Sequence, residues 1–212
     1  EAMFYAKQIA DFGWSRPQLN AKMDSQLFQA QGAICSNFES TLPAEQSQVT
    51  QQLFKDPYHF EFLTLQENYN EKDLEDALVT NITHFLLELG RGFAFIGRQY
   101  QMHIGSRIFK VDMVFYHCIL KCYVLIDLKR SEIRHSDIGQ MNLYLNYFQT
   151  EVCQSDDNPP VGIVLGARKD ELLMEYALQG ITNQLFAAKY QLYLPKREEL
   201  QAQLDALLDN EE

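Results

Sequence analysis

The chain has 212 residues, 46% of them hydrophobic, and a formal net charge of −11 at pH 7. That length allows one medium domain or two small ones with a real core, and no run approaches the ~20 consecutive apolar residues of a membrane span. Taken whole, the acidic balance argues against a nucleic-acid-binding surface, and Glu1 and Lys7-Gln8 interrupt any apolar leader.

Residues 1–56 read as a helical N-terminal module. Ser15-Arg16-Pro17-Gln18 is a helix start, with Ser at the N-cap and Pro near the first position. Leu19, Met23 and Leu27 then recur every four residues. Two helices joined through Gly13-Trp14 fit a helix-turn-helix; a plain packing or oligomerisation module fits as well, because Lys7, Arg16, Lys22 and Lys55 are the only bases there. Residues 57–70, with Pro57 and Asn68-Tyr69-Asn70, read as a connection.

Residues 71–90 form an amphipathic helix, since Leu74, Leu78, Ile82, Phe85 and Leu89 share one stripe. Gly90 and Gly92 end it. A strand over 93–104 turns at Gly105-Ser106 into a second strand containing Asp112. Cys118-Ile119-Leu120-Lys121 turns that strand into a third, which contains Asp127 and Lys129. A helix over 137–149, a buried apolar strand over 161–167, a helix over 170–179 and a last strand over 186–193 follow. Pro195 opens a C-terminal helix over 196–212, with Leu200, Leu204 and Leu208 on one side. The order implies an α/β sandwich around a mixed sheet.

The two aspartates carry the chemistry. A turn centred on Ile119 and Leu120 sets Asp112 opposite Asp127, and directly opposed residues have Cβ atoms roughly 4.5–5.5 Å apart. Lys129 shares the face of Asp127. Two carboxylates that close repel, and burying them costs free energy without a proton or cation. A divalent metal removes the conflict, and Mg²⁺ takes carboxylate oxygens together with phosphate and water. Charge is unevenly spread: residues 91–134 hold eight basic side chains and three acids, a net +5 within the −11 total. Arg91, Arg98, Arg130 and Arg134 flank the aspartates as candidate phosphate contacts; solvated strand and turn residues are the plainer reading. The acidic remainder offers a face to a protein partner or a second copy. Cys35, Cys118, Cys122 and Cys153 form no CxxC pair and have no His at zinc-finger spacing, which points to free thiols and a cytoplasmic location.

The spacing of Asp112, Asp127 and Lys129 resembles the PD-(D/E)xK nuclease superfamily, and within it the YhcG-type nucleases. Phe85 to Tyr100, Val111 to His117, Ile126-Asp127-Leu128-Lys129, Gly139 to Leu145, Asp157 to Leu165 and Glu175 to Leu178 carry the resemblance, with Gly13-Trp14-Ser15-Arg16 and Lys55-Asp56-Pro57-Tyr58 upstream. Asp127 stands where such nucleases often have Glu. The resemblance implies a restriction-endonuclease-like fold over 71–195 and phosphodiester hydrolysis with Mg²⁺ or Mn²⁺. It implies nucleic acid as the partner, with DNA favoured by analogy alone. Asp112 and Asp127 become metal ligands, the backbone carbonyl of Leu128 a further one, and Lys129 the residue that activates water or offsets transition-state charge. A third acid is expected from the first helix, where Glu75 and Glu88 compete. Asp112 pairs with about position 99, and climbing back ~20 Å along the helix from Gly90 at ~1.5 Å per residue reaches about position 77, which is close to Glu75 and favours it over Glu88. Gln140 and Tyr144, four apart on one helix face, match the QxxxY motif of RecB-like members, where they would brace the site; a surface Gln beside a core Tyr is the alternative. A nucleic-acid-binding or assembly module that cuts slowly or not at all remains the runner-up to a nuclease.

Overall fold

A computed structural model describes residues 35–41, 54–66 and 68–192, with isolated positions 16 and 19. Its elements are β1 (Cys35–Ser36), α1 (Phe38–Thr41), β2 (Tyr58–His59), α2 (Glu71–Thr80), α3 (Ile82–Leu89), β3 (Phe93–Ile104), β4 (Arg107–His117), β5 (Cys122–Glu132), α4 (His135–Tyr147), β6 (Val161–Arg168), α5 (Glu171–Leu178) and β7 (Gln184–Gln191). A single π turn, Phe148–Val152, continues α4. The strands lie in the order β1-β7-β6-β5-β4-β3, with β2 also pairing β7. The β3–β4–β5 meander is antiparallel, and β5, β6 and β7 are mutually parallel.

Both faces of this mixed sheet are covered, so its central strands are buried on each side. On one face Leu74, Leu78, Phe85 and Leu89 of α2 and α3 pack on Met113, Phe115, Val124, Ile126, Ile163 and Phe186. On the other, Ile138, Met141, Leu145 and Phe148 join Val114, Leu125, Val164 and Leu185. The second contact is close because Gly162 has no side chain: a Cβ there would meet Met141 Cγ at 2.5 Å.

The continuous helix expected over 71–90 is broken. Asn81 leaves the helical region at φ −103, ψ 34, and its side-chain amide donates to the Ala77 carbonyl at 2.9 Å. The Asn81 backbone N–H donates to the same carbonyl at 3.0 Å, and α2 and α3 keep one apolar stripe on the sheet. Asn70 caps α2 by accepting from the Asp73 backbone N–H at 3.0 Å, and the Asp73 carboxylate accepts from Asn70 N in return.

Most of the helical module expected over 1–56, and the C-terminal helix over 196–212, lie outside the described residues. Within the first stretch, Cys35–Ser36 is a strand rather than helix, and it pairs antiparallel with Phe186 and Ala187 of β7. Asn37 fastens it. Its amide donates to the carbonyls of Ile181 and Asn183, and its oxygen accepts from Leu185 N. β2 pairs with the next residues of the same edge, which leaves less of β7 open to another chain.

A buried ion pair anchors the segment before β2. The Lys169 ammonium is fully buried against Asp56, whose other oxygen accepts from Lys189 N at 2.9 Å. Removing one member of such a pair strands the other charge, at a cost of about 3–5 kcal/mol. Lys169→Met is therefore expected to lower the denaturant midpoint sharply without changing the m-value. A midpoint within error of the wild type would show that the pair contributes nothing to stability.

Candidate active site

The site forms where β4 and β5 part. Their ladder ends at Met113↔Ile126, and one further step of that register sets Asp112 across from Asp127. Here a side chain takes over from the ladder: Asp112 Oδ2 accepts from the backbone N–H of Leu128 at 2.7 Å. Asp127 and Lys129 follow on β5, and Lys129 Nζ stands 2.6 Å from Asp127 Oδ2. That oxygen is buried, with the Lys129 ammonium as its ion-pair partner. Behind it, Tyr190 of β7 donates to the Lys129 carbonyl at 3.1 Å, and Tyr69 shares a 3.0 Å hydroxyl contact with Tyr190.

α2 delivers Glu75 from the opposite layer, where it is buried beside Leu74. Gln99 joins it to Asp112: the amide nitrogen Nε2 lies 2.6 Å from Glu75 Oε2 and 3.2 Å from Asp112 Oδ1. Gln99 has φ +50, a left-handed backbone that costs an ordinary residue of order 1–3 kcal/mol and persists where the surroundings hold it. Arg98 bonds Asp76 and stands 3.9 Å from Glu75 Oε1. A cavity of about 450 Å³ opens over Glu75, Gln99 and Asp112, with Lys72, Arg98 and Lys110 on its walls.

The other residues singled out in the sequence fall in different places. Glu88 is occupied elsewhere, accepting from His59 N at 2.9 Å and pairing with Lys55 at 3.4 Å. On α4, Gln140 donates to the Tyr144 hydroxyl; Tyr144 is buried near enough to Asp127, Lys129 and Asp112 for their charges to act on its hydroxyl. The Arg130 guanidinium lies 5.3 Å from the Tyr69 ring centre, and its backbone N–H donates to Glu71 at 3.2 Å. Arg134 precedes α4, with its N–H bonded to Asp137. Arg91 is not brought to the site. It lies beyond the Phe93↔His117 end of the β3–β4 ladder, and Phe93 is itself roughly 20 Å from Gln99 at about 3.3 Å per residue.

Sequence reasoning did not single out Gln99, Tyr190, Lys72 or Lys110. The signal for Gln99 was present, because the turn at Gly105-Ser106 sets position 99 opposite Asp112 and a glutamine stands there. For Tyr190 no local pattern exists: its contact with Lys129 spans 61 residues.

The electrostatics have one theme, carboxylates held out of water. Burial pushes the Asp127 carboxyl up to about 7; the Lys129 charge opposes this and the Asp112 charge adds to it. Burial also raises Asp112, against the Leu128 N–H, Lys129 and Gln99. It raises Glu75 too, with the Gln99 bond opposing and the Asp112 charge adding. For Lys129 burial works downward, but Asp127 outweighs it and the ammonium is raised. Among the described residues no three of His, Cys, Asp and Glu gather into a metal-binding group by themselves. What does fit a divalent cation is the donor set: Asp127 Oδ2, buried and poorly satisfied, with Asp112 across from it, both of them hard oxygen donors.

A family model described as the YhcG PDDEXK nuclease domain matches residues 51–205. The candidate nuclease YhcG of Escherichia coli (strain K12) is 39% identical over 206 residues, which are 95% of this chain and 54% of that protein. The chain thus spans about half the length of this relative. Among solved structures, a repair endonuclease from Pyrococcus abyssi aligns over 61% of this chain and 50% of its own at 22% identity, with a TM-score of 0.40. An EndoMS complex with dsDNA aligns over 63% and 48% at 18% identity, with a TM-score of 0.42.

The raised carboxyls fix the sign of a pH effect. A carboxyl raised by folding contributes stability that is complete below its unfolded value and lost as pH rises through its folded value. Without divalent metal, Asp127 should therefore destabilise the fold as pH climbs from about 4 to about 7. Asp127→Asn removes that term. In chelator its Tm should match the wild type near pH 4 and exceed it by roughly 10 °C near pH 8, a carboxyl raised from about 4 to about 7 losing about 4 kcal/mol and a chain of this size moving about 2–4 °C per kcal/mol. Parallel Tm curves for the two proteins across that range would contradict the assignment.

Proposed function

We propose that this chain, which belongs to the YhcG PDDEXK nuclease family, hydrolyses phosphodiester bonds of DNA with Mg²⁺ or Mn²⁺ as cofactor. One observation carries the reading. A buried carboxylate, Asp127, faces Asp112 across parting strands with a lysine beside it, an arrangement that costs stability unless a cation uses it. Asp112 and Asp127 would hold the metal, with the Leu128 carbonyl and Glu75 as further oxygen donors. When bound, the cation supplies Lewis-acid activation of water and neutralises phosphate charge.

The chain's own groups account for the remaining work. Leu128 N–H orients Asp112, and Tyr190 steadies the strand at Lys129. Lys129 Nζ, held beside Asp127 and partly open to solvent, can donate to the attacking water or to a phosphate oxygen as charge develops there. Lys72, Arg98 and Lys110 on the cavity walls are placed for neighbouring phosphates, and Arg130 and Arg134 extend that surface. Gln140 and Tyr144 brace the α4 side. No helix among the described residues is long and apolar enough to cross a membrane, and a cytoplasmic setting suits the four free cysteines. The acidic remainder of the chain is left for a protein partner or a second copy.

A second reading, a nucleic-acid-binding or assembly module that cuts slowly or not at all, is favoured by the same −11 charge and by Glu75 reaching Asp112 only through Gln99. Cleavage separates the two. With Mg²⁺ or Mn²⁺ and linear, branched and single-stranded DNA, Asp112→Ala, Asp127→Ala and Lys129→Ala should each lower the rate by about a hundredfold or more while circular dichroism stays unchanged. Glu75→Gln should cost far more activity than Glu88→Gln. Cleavage retained in Asp112→Ala would sink the mechanism.

Binding gives an independent check. Few phosphate contacts imply a shallow salt dependence, about −0.9 in log K per phosphate neutralised on duplex DNA. Charge reversal at Arg130 and Arg134 together should weaken every DNA sequence alike. Salt-independent binding would mean that the basic stretch is solvated surface.

A further inference from the structure

Gln99 stands between two acids that have reason to separate. The β3–β4 ladder pairs Arg98 with Met113 and Tyr100 with Val111, so Gln99 falls across from Asp112. Its backbone is left-handed, a conformation that a non-glycine strand residue adopts only when its surroundings hold it. At the other end of its side chain, one amide nitrogen serves Glu75 at 2.6 Å and Asp112 at 3.2 Å. Glu75 comes from α2 and Asp112 from β4, on opposite sides of a turn, a helix break and a strand. Gln99 is the group that bridges them.

We propose that Gln99 is a positioning residue of the catalytic centre: its side-chain amide holds Glu75 beside Asp112 and so sets how tightly the site of Asp112, Asp127 and Glu75 takes a divalent cation. This rests on the metal-dependent reading above. An amide suits the role because its N–H groups attract both carboxylates without adding a charge that would compete with the cation. A lysine there would form a permanent ion pair, and a glutamate would add a third repelling acid. Partners that orient metal ligands in this way typically change affinity by about 10–100-fold when lost.

The test uses Gln99→Met, similar in length but unable to hydrogen-bond, and Gln99→Glu, each alone and in a Glu75→Gln background. Calorimetric titration with Mn²⁺ and Tm in chelator are the readouts. Gln99→Met should weaken Mn²⁺ binding by about tenfold or more, and by much less once Glu75 has already been replaced. Gln99→Glu should lower the metal-free Tm and regain it on adding Mn²⁺. A wild-type Mn²⁺ affinity in Gln99→Met, or an equal loss with and without Glu75, would overturn the proposal. A wild-type chain that binds no Mn²⁺ would overturn the metal-dependent reading itself. The tie is then still decided by the metal-free Tm values of Gln99→Met and Glu75→Gln, which are non-additive if the bridge exists and additive if it does not.

Discussion

Two carboxylates set in an apolar layer repel each other and lose their water, and the rest of this site can be understood as the means by which the fold tolerates them. Asp112 takes the Leu128 backbone N–H, Asp127 takes the Lys129 ammonium, and Gln99 offers Asp112 a further donor. None of these neutralises the pair fully, as the raised carboxyls of Asp112 and Asp127 indicate. Sites that retain such a conflict are commonly those where function needs it. The conflict is confined to one spot. Away from it, the sheet is filled with aliphatic and aromatic side chains on both faces.

Rigidity comes from how the elements around that spot are tied. β5 is held between β4 and β6 up to Ile126, and β6 alone carries it on through Asp127 and Lys129. β4 leaves the ladder at Asp112, which frees its carboxylate to point into the gap. α2 reaches the same gap from the opposite layer because its stripe, Leu74 and Leu78, packs on that face of the sheet. Side chains from α2, β3, β4 and β5 thus meet where the β4–β5 ladder has ended.

Much of this was legible in the sequence, and the reason is local geometry. A four-residue turn leaves few choices of centre, and one centred on Ile119 and Leu120 sets Asp112 against Asp127, while the turn at Gly105-Ser106 likewise leads to about position 99. Helical rise against strand rise then distinguished the level of Glu75 from that of Glu88. Non-local features were not legible. The break at Asn81 lies in the backbone torsion of one residue, which composition does not reveal. The strand at Cys35–Ser36 exists because β7, some 150 residues later, offers an edge. The basic stretch reads as one cluster in sequence, yet the strand carries Arg91 away from the acids while Lys110 and Lys72 come to the cavity.

The central claim is that Asp112 and Asp127 together hold a divalent cation. Anomalous diffraction from crystals soaked in Mn²⁺ tests it most directly. The account predicts an anomalous peak in the gap between β4 and β5, with carboxylate oxygens of both aspartates at about 2.0–2.2 Å, the range of small hard cations. A peak that involves neither aspartate, or an empty gap at saturating Mn²⁺, would contradict it.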